Sequence, residues 1–360
     1  MTIFQATTLY EAWMGQCTRV VEAHLRRKHR RMRDSSFGFL RGSYYRWAQL
    51  WPSLCRELHR APRVLAVGDL HVDSFGTWRD SEGRLCWGVD DFDESYPLPY
   101  TNDLVRLAVS AKLMIDSEHI TIKLRDACAA ILDGYRRTLR DGGCPIVLAE
   151  HETSLERLGV NTIRPPEEFW PTLQALPIPH RPMARAVRRL LERTLPDAHL
   201  DYRIVSREAG LGSLGQQRFV AIAHWNGGFI AREAKALVPS ACAWLQGTVS
   251  HGQSFYQRTM AGAVRSRDPF QTIRGGWLIR RLSPDSNPIE IADLPRERDE
   301  HTLLNAMGSE AANVHLGSSR RVKSILVDLH RRKSSWLRAA AKDMATVMKR
   351  EWKAFRDRGD

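Results

Sequence analysis

The chain has 360 residues, 43% of them hydrophobic, and a formal net charge of +13 at pH 7. This length and composition predict a folded protein with a sizeable core, and the positive charge favours an anionic partner such as a nucleotide, nucleic acid or acidic lipid. No run of about eighteen apolar residues occurs, and no basic segment precedes an apolar core at the N-terminus, so neither a membrane span nor a secretory signal is expected.

The first part of the chain is predicted to be mainly helical. Helical periodicity covers residues 9–33, 44–58, 102–116 and 120–140, and short strands are predicted at 64–67 and 85–89. Basic residues concentrate at 24–33, which continues the first helical pattern. A solvated helix face and a nucleic-acid-binding surface are both open interpretations, but no aromatic stacking motif or zinc-finger spacing accompanies this run.

The second part combines a sheet with terminal helices. The stretch 145–182 is rich in proline and is predicted to be a connector. A helix is expected at 183–194, strands at 202–205, 219–223, 229–231 and 277–282, and helices after residue 303 that pack on the body of the protein. The six cysteines show no C-x-x-C spacing, which favours reduced thiols and a cytoplasmic location.

Two acidic motifs follow the strands at 64–67 and 85–89. The first is G-D-L-H with Asp69 and His71, and the second is V-D-D-F-D-E with Asp91 and Asp93. Phosphoryl transfer needs one carboxylate to accept a proton from the attacking hydroxyl, and oxygen ligands for a magnesium ion on the nucleotide phosphates. Asp69 therefore suits a catalytic base and Asp91 a metal ligand. His71 could act as a second catalytic group or could shape the loop.

A glycine-rich segment lies between two predicted strands. Gly210, Gly212 and Gly215 form G-L-G-S-L-G together with Ser213, and an N-G-G turn follows the next strand. A dinucleotide-binding fold would need a helix directly after the glycines, whereas the residues that follow favour a hairpin. Strand, glycine turn and strand is the order found where a glycine loop covers nucleotide phosphates in kinases.

These motifs resemble known families. The order G-D-x-H, D-F-D and D-L is similar to the core of aminoglycoside phosphotransferases and choline kinases. The chain more closely resembles a bacterial family known as domain of unknown function twenty-two fifty-two. The shared motifs are F-L-R-G at 39–42, D-F-D-E at 91–94, D-L-V-R-L-A-V-S at 103–110, the glycine segment and R-E-A at 232–234.

The resemblance implies ATP and Mg²⁺ as cofactors. It implies that Asp69 is the catalytic base, that Asp91 and Asp93 bind metal, and that the glycine segment covers the phosphates. Two positions depart from the family pattern. Ser74 replaces the metal-binding Asn, so Asp73 or Ser74 would assist the metal, and Arg232 replaces a phosphate-binding Lys, with Lys235 three residues later.

The predicted fold is α+β, two-lobed and similar to protein kinases. Because the glycine segment follows the acidic motifs in this chain, the fold is expected to be circularly permuted. The expected organisation is a helical lobe at 1–200 with the catalytic and metal loops, a β-rich nucleotide-covering lobe at 201–300, and C-terminal helices at 301–360.

The function expected from these features is an ATP-dependent and magnesium-dependent phosphotransferase with an unknown acceptor. Ser74 and Arg232 favour an alternative, a catalytically silent scaffold that kept the fold. A metallophosphoesterase also uses D-x-H, but it needs further metal-binding blocks that the sequence lacks.

Overall fold

The computed structural model describes residues 1–151, 163–180, 182–197, 199–248, 255–286 and 299–358. Helices dominate it, and the strands form three small antiparallel sheets. The α+β class expected from the sequence is therefore confirmed.

The N-terminal region contains more helices than predicted. The helices are α1 (Ile3–Cys17), α2 (Glu22–Asp34), α3 (Ser36–Gly42), α4 (Tyr44–Leu54) and α5 (Arg56–His59). The single helix predicted over 9–33 is wrong, because the chain breaks between α1 and α2. Thr18, Val20 and Val21 are β-branched and disfavour a helix. The Val21 amide instead donates to the Gly215 carbonyl at 2.9 Å.

Two small sheets frame the acidic motifs. β1 (Arg63–Ala66) pairs with β4 (Tyr96–Pro99), and β2 (Phe75–Arg79), β3 (Leu85–Val89) and β5 (Ile146–Val147) form a second sheet. The strands predicted at 64–67 and 85–89 are confirmed. β4 escaped prediction because it contains two prolines, which a strand tolerates only at a sheet edge. The helices α6 (Tyr100–Asp116) and α7 (Leu124–Asp141) follow, and α8 (Leu148–His151) succeeds β5.

The third sheet has five strands in the order β6-β7-β8-β10-β9. They are β6 (Tyr202–Ser206), β7 (Arg218–Trp225), β8 (Gly228–Ala236), β9 (Thr272–Arg274) and β10 (Trp277–Leu282). Asn226 and Gly227 both have positive φ, at 47° and 88°, which makes the tight hairpin turn that the N-G-G sequence predicts. β8 extends well beyond the predicted strand at 229–231, so it brings its last residues to the acidic motifs.

Each face of the five-stranded sheet has its own apolar cover. α9 (Pro166–Gln174) packs through Phe169 and Leu173 on one face, and α10 (Arg185–Glu192) packs through Val187 and Leu191 on the other. α9 lies within the stretch predicted to be a connector, part of which, 152–162, is outside the described residues. Short helices α11 (Ala241–Leu245) and α12 (Phe255–Gly262) lie between β8 and β9 in the chain.

The C-terminal helices pack on the N-terminal ones. They are α13 (Glu300–His315), which packs on α7, and, after a 3₁₀ turn at Leu316–Arg321, α14 (Val322–Arg331) and α15 (Trp336–Asp357), which packs on α6. The large hydrophobic core is formed mainly by these helices together with α1, α3 and α4. Among the described residues, no helix combines the length and apolar composition needed to cross a bilayer.

Candidate functional site

A cavity of about 130 Å³ lies between the loop after β1 and one face of the five-stranded sheet. It is lined by most of the residues that the sequence singled out, although they come from distant parts of the chain. These residues are Asp69, His71, Asp73, Ser74, Asp91, Asp93, Gly210, Gly212, Ser213 and Lys235.

Asp69 is fixed by an arginine from α6. Arg106 donates from Nε to Oδ1 of Asp69, and a second ion-pair contact runs from Nη2 to the same oxygen. The guanidinium of Arg106 is fully buried, with its centre 4.9 Å from the rings of both Tyr44 and Trp47. Burial raises the pKa of Asp69, although Arg106 opposes this shift. A carboxylate with a raised pKa is a better proton acceptor, which suits a general base.

The backbone of the Asp69 loop is held by Asp103. One carboxylate oxygen accepts from the Val67 amide at 2.7 Å, and the other accepts from the Gly68 amide at 3.0 Å. His315 of α13 contacts Asp103 through Nε2 at 3.0 Å, and both side chains are fully buried. Asp103 is therefore a brace for the loop, and His315 supports it from α13.

His71 and Ser74 shape the same loop from within. Ser74 Oγ donates to the Asp69 carbonyl at 3.1 Å and accepts from the His71 amide at 2.9 Å. The ring of His71 accepts from the Asp73 amide through Nδ1 at 3.2 Å. Burial, with Arg41 nearby, holds the pKa of His71 well below its ordinary value, so the ring is neutral. Both hydrogen bonds of the Ser74 hydroxyl are therefore made within the loop. Beside it, Arg41 Nη1 donates to Asp73 Oδ2 at 2.9 Å.

Asp91 and Asp93 surround the ammonium group of Lys235. Lys235 lies 3.5 Å from Asp91 Oδ2 and forms a closer ion pair with Asp93. Burial raises the pKa of Asp93, and the neighbouring Asp91 charge raises it further. For Asp91, burial acts in the same direction, but Lys235 and the Asp93 amide outweigh it and lower the pKa. The single positive charge of Lys235 balances only one of the two carboxylates, Asp91 and Asp93.

These carboxylates fit a magnesium ion that also binds phosphate. Mg²⁺ in phosphoryl-transfer sites is usually held by one or two protein carboxylates, with the rest of its shell from phosphates and water. Asp91 and Asp93 supply two carboxylates, and Oδ1 of Asp93 is a buried acceptor without a hydrogen-bond partner in the described structure. No group of three or more His, Cys, Asp or Glu side chains in the described ranges could hold an ion by itself. The site therefore fits a shared ion better than a metal bound by protein alone.

The glycine segment closes the cavity from the sheet side. It connects β6 to β7, and a Cβ added to Gly212 would lie 3.3 Å from the Arg41 carbonyl and 3.8 Å from Oδ2 of Asp69. Lys28 of α2 donates to the Gly212 carbonyl at 3.0 Å. Gly215 does not line the cavity but packs against Leu25 of α2. The segment is therefore clamped between the Asp69 loop and α2.

Arg232 is placed differently from the sequence-based expectation. Its Nε donates to the Thr194 carbonyl at 3.0 Å, and its guanidinium centre lies 4.4 Å from the Phe270 ring centroid. Alternate residues of a strand point to opposite faces, so Arg232 and Lys235, an odd number of positions apart, face opposite sides of the sheet. Lys235 faces the cavity and Arg232 faces α10. Lys235 is thus the basic residue that β8 offers to this site.

Several cavity residues were missed by the sequence analysis. Lys28 lies in the basic run at 24–33, and its spacing from Leu25 and Met32, both buried, was a signal that it shares their inward-facing side. Glu94 closes the D-F-D-E motif, and burial raises its pKa to about 8. The cavity is also lined by Arg207, Arg218 and Arg280, of which Arg207 and Arg218 were marked by no motif.

Comparison with known proteins gives one match. A model of the family described as "Uncharacterized protein conserved in bacteria (DUF2252)" matches residues 19–165. This stretch contains the Asp69, Asp91 and Asp103 motifs and ends before the five-stranded sheet begins. No curated protein matches the chain, and no solved structure matches it. Over that stretch, the similarity to the bacterial family inferred from the motifs is supported.

Proposed function

We propose that the protein is a kinase-like phosphotransferase that uses ATP and Mg²⁺ on a hydroxyl acceptor yet to be identified. One observation carries this proposal. A glycine loop between two antiparallel strands and a lysine on the next strand meet a half-buried aspartate, which an arginine orients, and two further carboxylates in one cavity. Protein kinases combine a glycine loop, a strand lysine, a catalytic aspartate and a metal-binding aspartate for the same chemistry.

The residues of the chain have distinct roles in this reaction. The acceptor oxygen attacks the terminal phosphorus of ATP, the bond to the departing ADP oxygen breaks, and the acceptor proton passes to Asp69. Arg106 holds Asp69 through one oxygen, which leaves the side facing Gly212 for the acceptor. Lys235 exchanges its carboxylate partners for phosphate oxygens. Bound Mg²⁺, held by Asp91 and Asp93, would neutralise charge on the phosphates.

The proposal includes a permuted kinase-like fold. In an ordinary kinase the glycine loop precedes the catalytic loop, whereas here the Asp69 loop comes first and the sheet of β6 to β10 comes later. The two parts nevertheless form opposite walls of one cavity. The corresponding lobes are the helical region at 1–200 and the sheet region at 201–300, with the helices at 301–360 packed on the first.

A second candidate is a catalytically silent relative that keeps this fold. The observations that favour it are the engagement of Ser74 in the loop backbone and the small size of the cavity. Ligand pockets usually have volumes of about 300–1,000 Å³, so the glycine loop must move before a nucleotide enters. A silent protein would have no need of that movement.

The two candidates differ in their response to MgATP. A competent site stabilises the fold when ligand binds, by about 2.7 kcal/mol at a concentration near 100 times the Kd. We expect thermal unfolding to shift upward with MgATP, and to shift much less with ATP and EDTA. An unchanged melting temperature under both conditions would favour the silent protein.

Two substitutions separate binding from chemistry. Asp91→Asn should weaken the magnesium dependence of ATP binding, because it removes a metal-binding charge. Asp69→Asn should retain MgATP binding and abolish slow ATP turnover, measured by release of labelled phosphate. Asp126→Asn, at an exposed carboxylate on α7, is the matched control for both. Binding that depends on magnesium equally in the wild type and in Asp91→Asn would contradict the metal assignment.

A further inference from the structure

Three arginines share one carboxylate on the cavity face of the five-stranded sheet. Glu233 of β8 is fully buried and accepts from Arg207 Nη1 at 2.7 Å, Arg218 Nη1 at 3.2 Å and Arg280 Nε at 2.8 Å. Burial would raise the pKa of Glu233, but Arg280, Arg207 and Arg218 together hold it well below its ordinary value. Glu233 is therefore ionised, and it fixes three guanidinium groups around a single point.

This cluster carries more positive charge than Glu233 can balance. Arginine stays protonated in proteins, so three guanidiniums and one carboxylate leave two positive charges in excess. Asp90 interacts electrostatically with Arg280, and Asp91 and Asp93 with Arg218, but Lys235 already pairs with Asp91 and Asp93. An anion that enters the cavity would therefore meet three guanidinium groups that share one directly bonded carboxylate.

One hydrogen-bond donor of the cluster is unpaired at the cavity wall. The Arg218 side chain is 4% exposed, and its Nε has no hydrogen-bond partner within the described residues. Arg207 and Arg280 each keep 24% of their side chain exposed, and all three residues line the cavity. A buried donor left unpaired costs about 1–3 kcal/mol, which a ligand oxygen would remove.

We propose that Arg207, Arg218 and Arg280 form a phosphate-binding subsite at the sheet end of the cavity. Guanidinium groups present forked donors that match phosphate oxygens, and three of them oriented by one carboxylate need little reordering on binding. The cavity of about 130 Å³ has room for a phosphate group but not for a nucleoside. The inference rests on the proposed function in one respect, that the phosphate belongs to a nucleotide.

The position of the subsite indicates which part of a nucleotide it would bind. Lys235 and Arg218 are paired across β7 and β8, and Glu233 and Arg280 are paired across β8 and β10. The lysine and the arginine cluster therefore lie side by side on the same sheet face. A chain of phosphates can contact both at once. Affinity should increase with the number of phosphates, from AMP to ADP to ATP, and inorganic pyrophosphate should compete with ATP.

Isothermal titration of the full chain with pyrophosphate and with MgATP tests the subsite. Arg207→Gln keeps two arginines on Glu233 and should weaken the binding of both ligands at least tenfold. Arg203→Gln, at an exposed arginine of β6, is the matched control and should bind as the wild type does. Arg280→Lys is a second variant that keeps the charge and loses the fork. Melting temperatures of all variants, measured without ligand, show that each is folded.

The outcomes separate the subsite from the proposed function. Pyrophosphate binding that depends on Arg207, without binding of MgATP, would support the subsite for inorganic phosphates or phosphorylated acceptors and contradict the kinase proposal. MgATP binding that is unchanged in both Arg207→Gln and Arg280→Lys would overturn the subsite and leave the kinase proposal standing. No binding of pyrophosphate or MgATP by the wild type would overturn the subsite.

Discussion

At the residue scale, the site is built from charges that are paired inside the protein. Motifs marked Asp69 and Asp91 because these residues follow strands and carry the chemistry themselves. Arg106 was seen in the D-L-V-R-L motif, but its partner could be identified only once α6 was packed beside the Asp69 loop. Lys235 and Arg232 point to opposite faces of the sheet because they are three positions apart on β8. Which of the two faces the cavity depends on where β8 begins and on which face is covered. Sequence spacing alone did not reveal which of the two would face the cavity.

The Arg106 ion pair should be important for stability. Arg106→Leu leaves Asp69 without its buried partner, and breaking a buried pair in this way costs about 3–5 kcal/mol. The prediction is a loss of that size in the free energy of unfolding, measured by urea denaturation. Arg26→Leu, on the exposed side of α2, should change it by less than about 0.5 kcal/mol. Similar values for the two variants would contradict a stabilising role.

Glu94 should make stability depend on pH. Burial raises its pKa from 4.5 to about 8 in the folded protein, so between these values the folded state holds a proton that the unfolded state releases. Stability from this group is therefore complete below about pH 4.5 and is lost as the pH rises towards 8. Glu94→Gln should reduce the decrease in unfolding free energy between pH 5 and 8. Parallel pH profiles for the variant and the wild type would show that Glu94 does not contribute.

At the element scale, the contact between α2 and the glycine loop organises the cavity. The sequence predicted the loop and the helix separately, because each has a local signature. Their docking joins residues that are distant in the chain, and no local pattern records such a contact. The same docking divides the basic run at 24–33 into an inward side with Lys28 and an exposed side. Arg26, Arg27, Arg30 and Arg31 form that exposed side, where nucleic-acid binding remains a proposal.

The packing of the glycine loop on α2 requires a residue without a side chain at Gly215. Its φ is +104°, and a Cβ there would lie 2.5 Å from Leu25. Gly215→Ala should destabilise the protein by about 1–3 kcal/mol, because the residue is strained and the loop must leave α2. Gly228→Ala is the matched control in the same sheet, since a Cβ at Gly228 meets nothing within 4 Å. Equal melting temperatures for the two variants would mean that the loop is not clamped on α2.

At the scale of the whole molecule, the helical region and the sheet close on a cavity smaller than the ligand proposed for it. Overall class, most helices and the main strands followed from periodicity in the sequence. The closed cavity could not be predicted from periodicity, because it depends on how the surface of the helical region packs against the surface of the sheet. Thr77 of β2 donates to the Asp285 carbonyl at 2.9 Å, which is one of the contacts that joins the two regions beside the cavity.

Because the cavity is closed, we expect the rate of nucleotide binding to be limited by movement of the glycine loop. In stopped-flow mixing with a fluorescent ATP analogue, the observed rate should level off at high nucleotide concentration, because the glycine loop must first leave Lys28. Lys28→Met removes the donor to Gly212 and should raise the plateau about tenfold, as expected for the loss of a hydrogen bond worth about 1.4 kcal/mol. Arg30→Met, at an exposed position on α2, is the control. A rate that rises linearly in the wild type would exclude an opening step.

The order of the motifs along the chain has a consequence for biosynthesis. The ribosome synthesises Asp69, Asp91 and Asp93 before Arg207 and Lys235 of the sheet, with a delay of roughly 6–30 seconds at about 5–20 residues per second. During that interval the nascent acidic loops have Lys28, Arg41 and Arg106 as their nearby cations, since these have already emerged. The helical region can therefore begin to organise its aspartates first, and the sheet arrives afterwards as the last wall of the cavity.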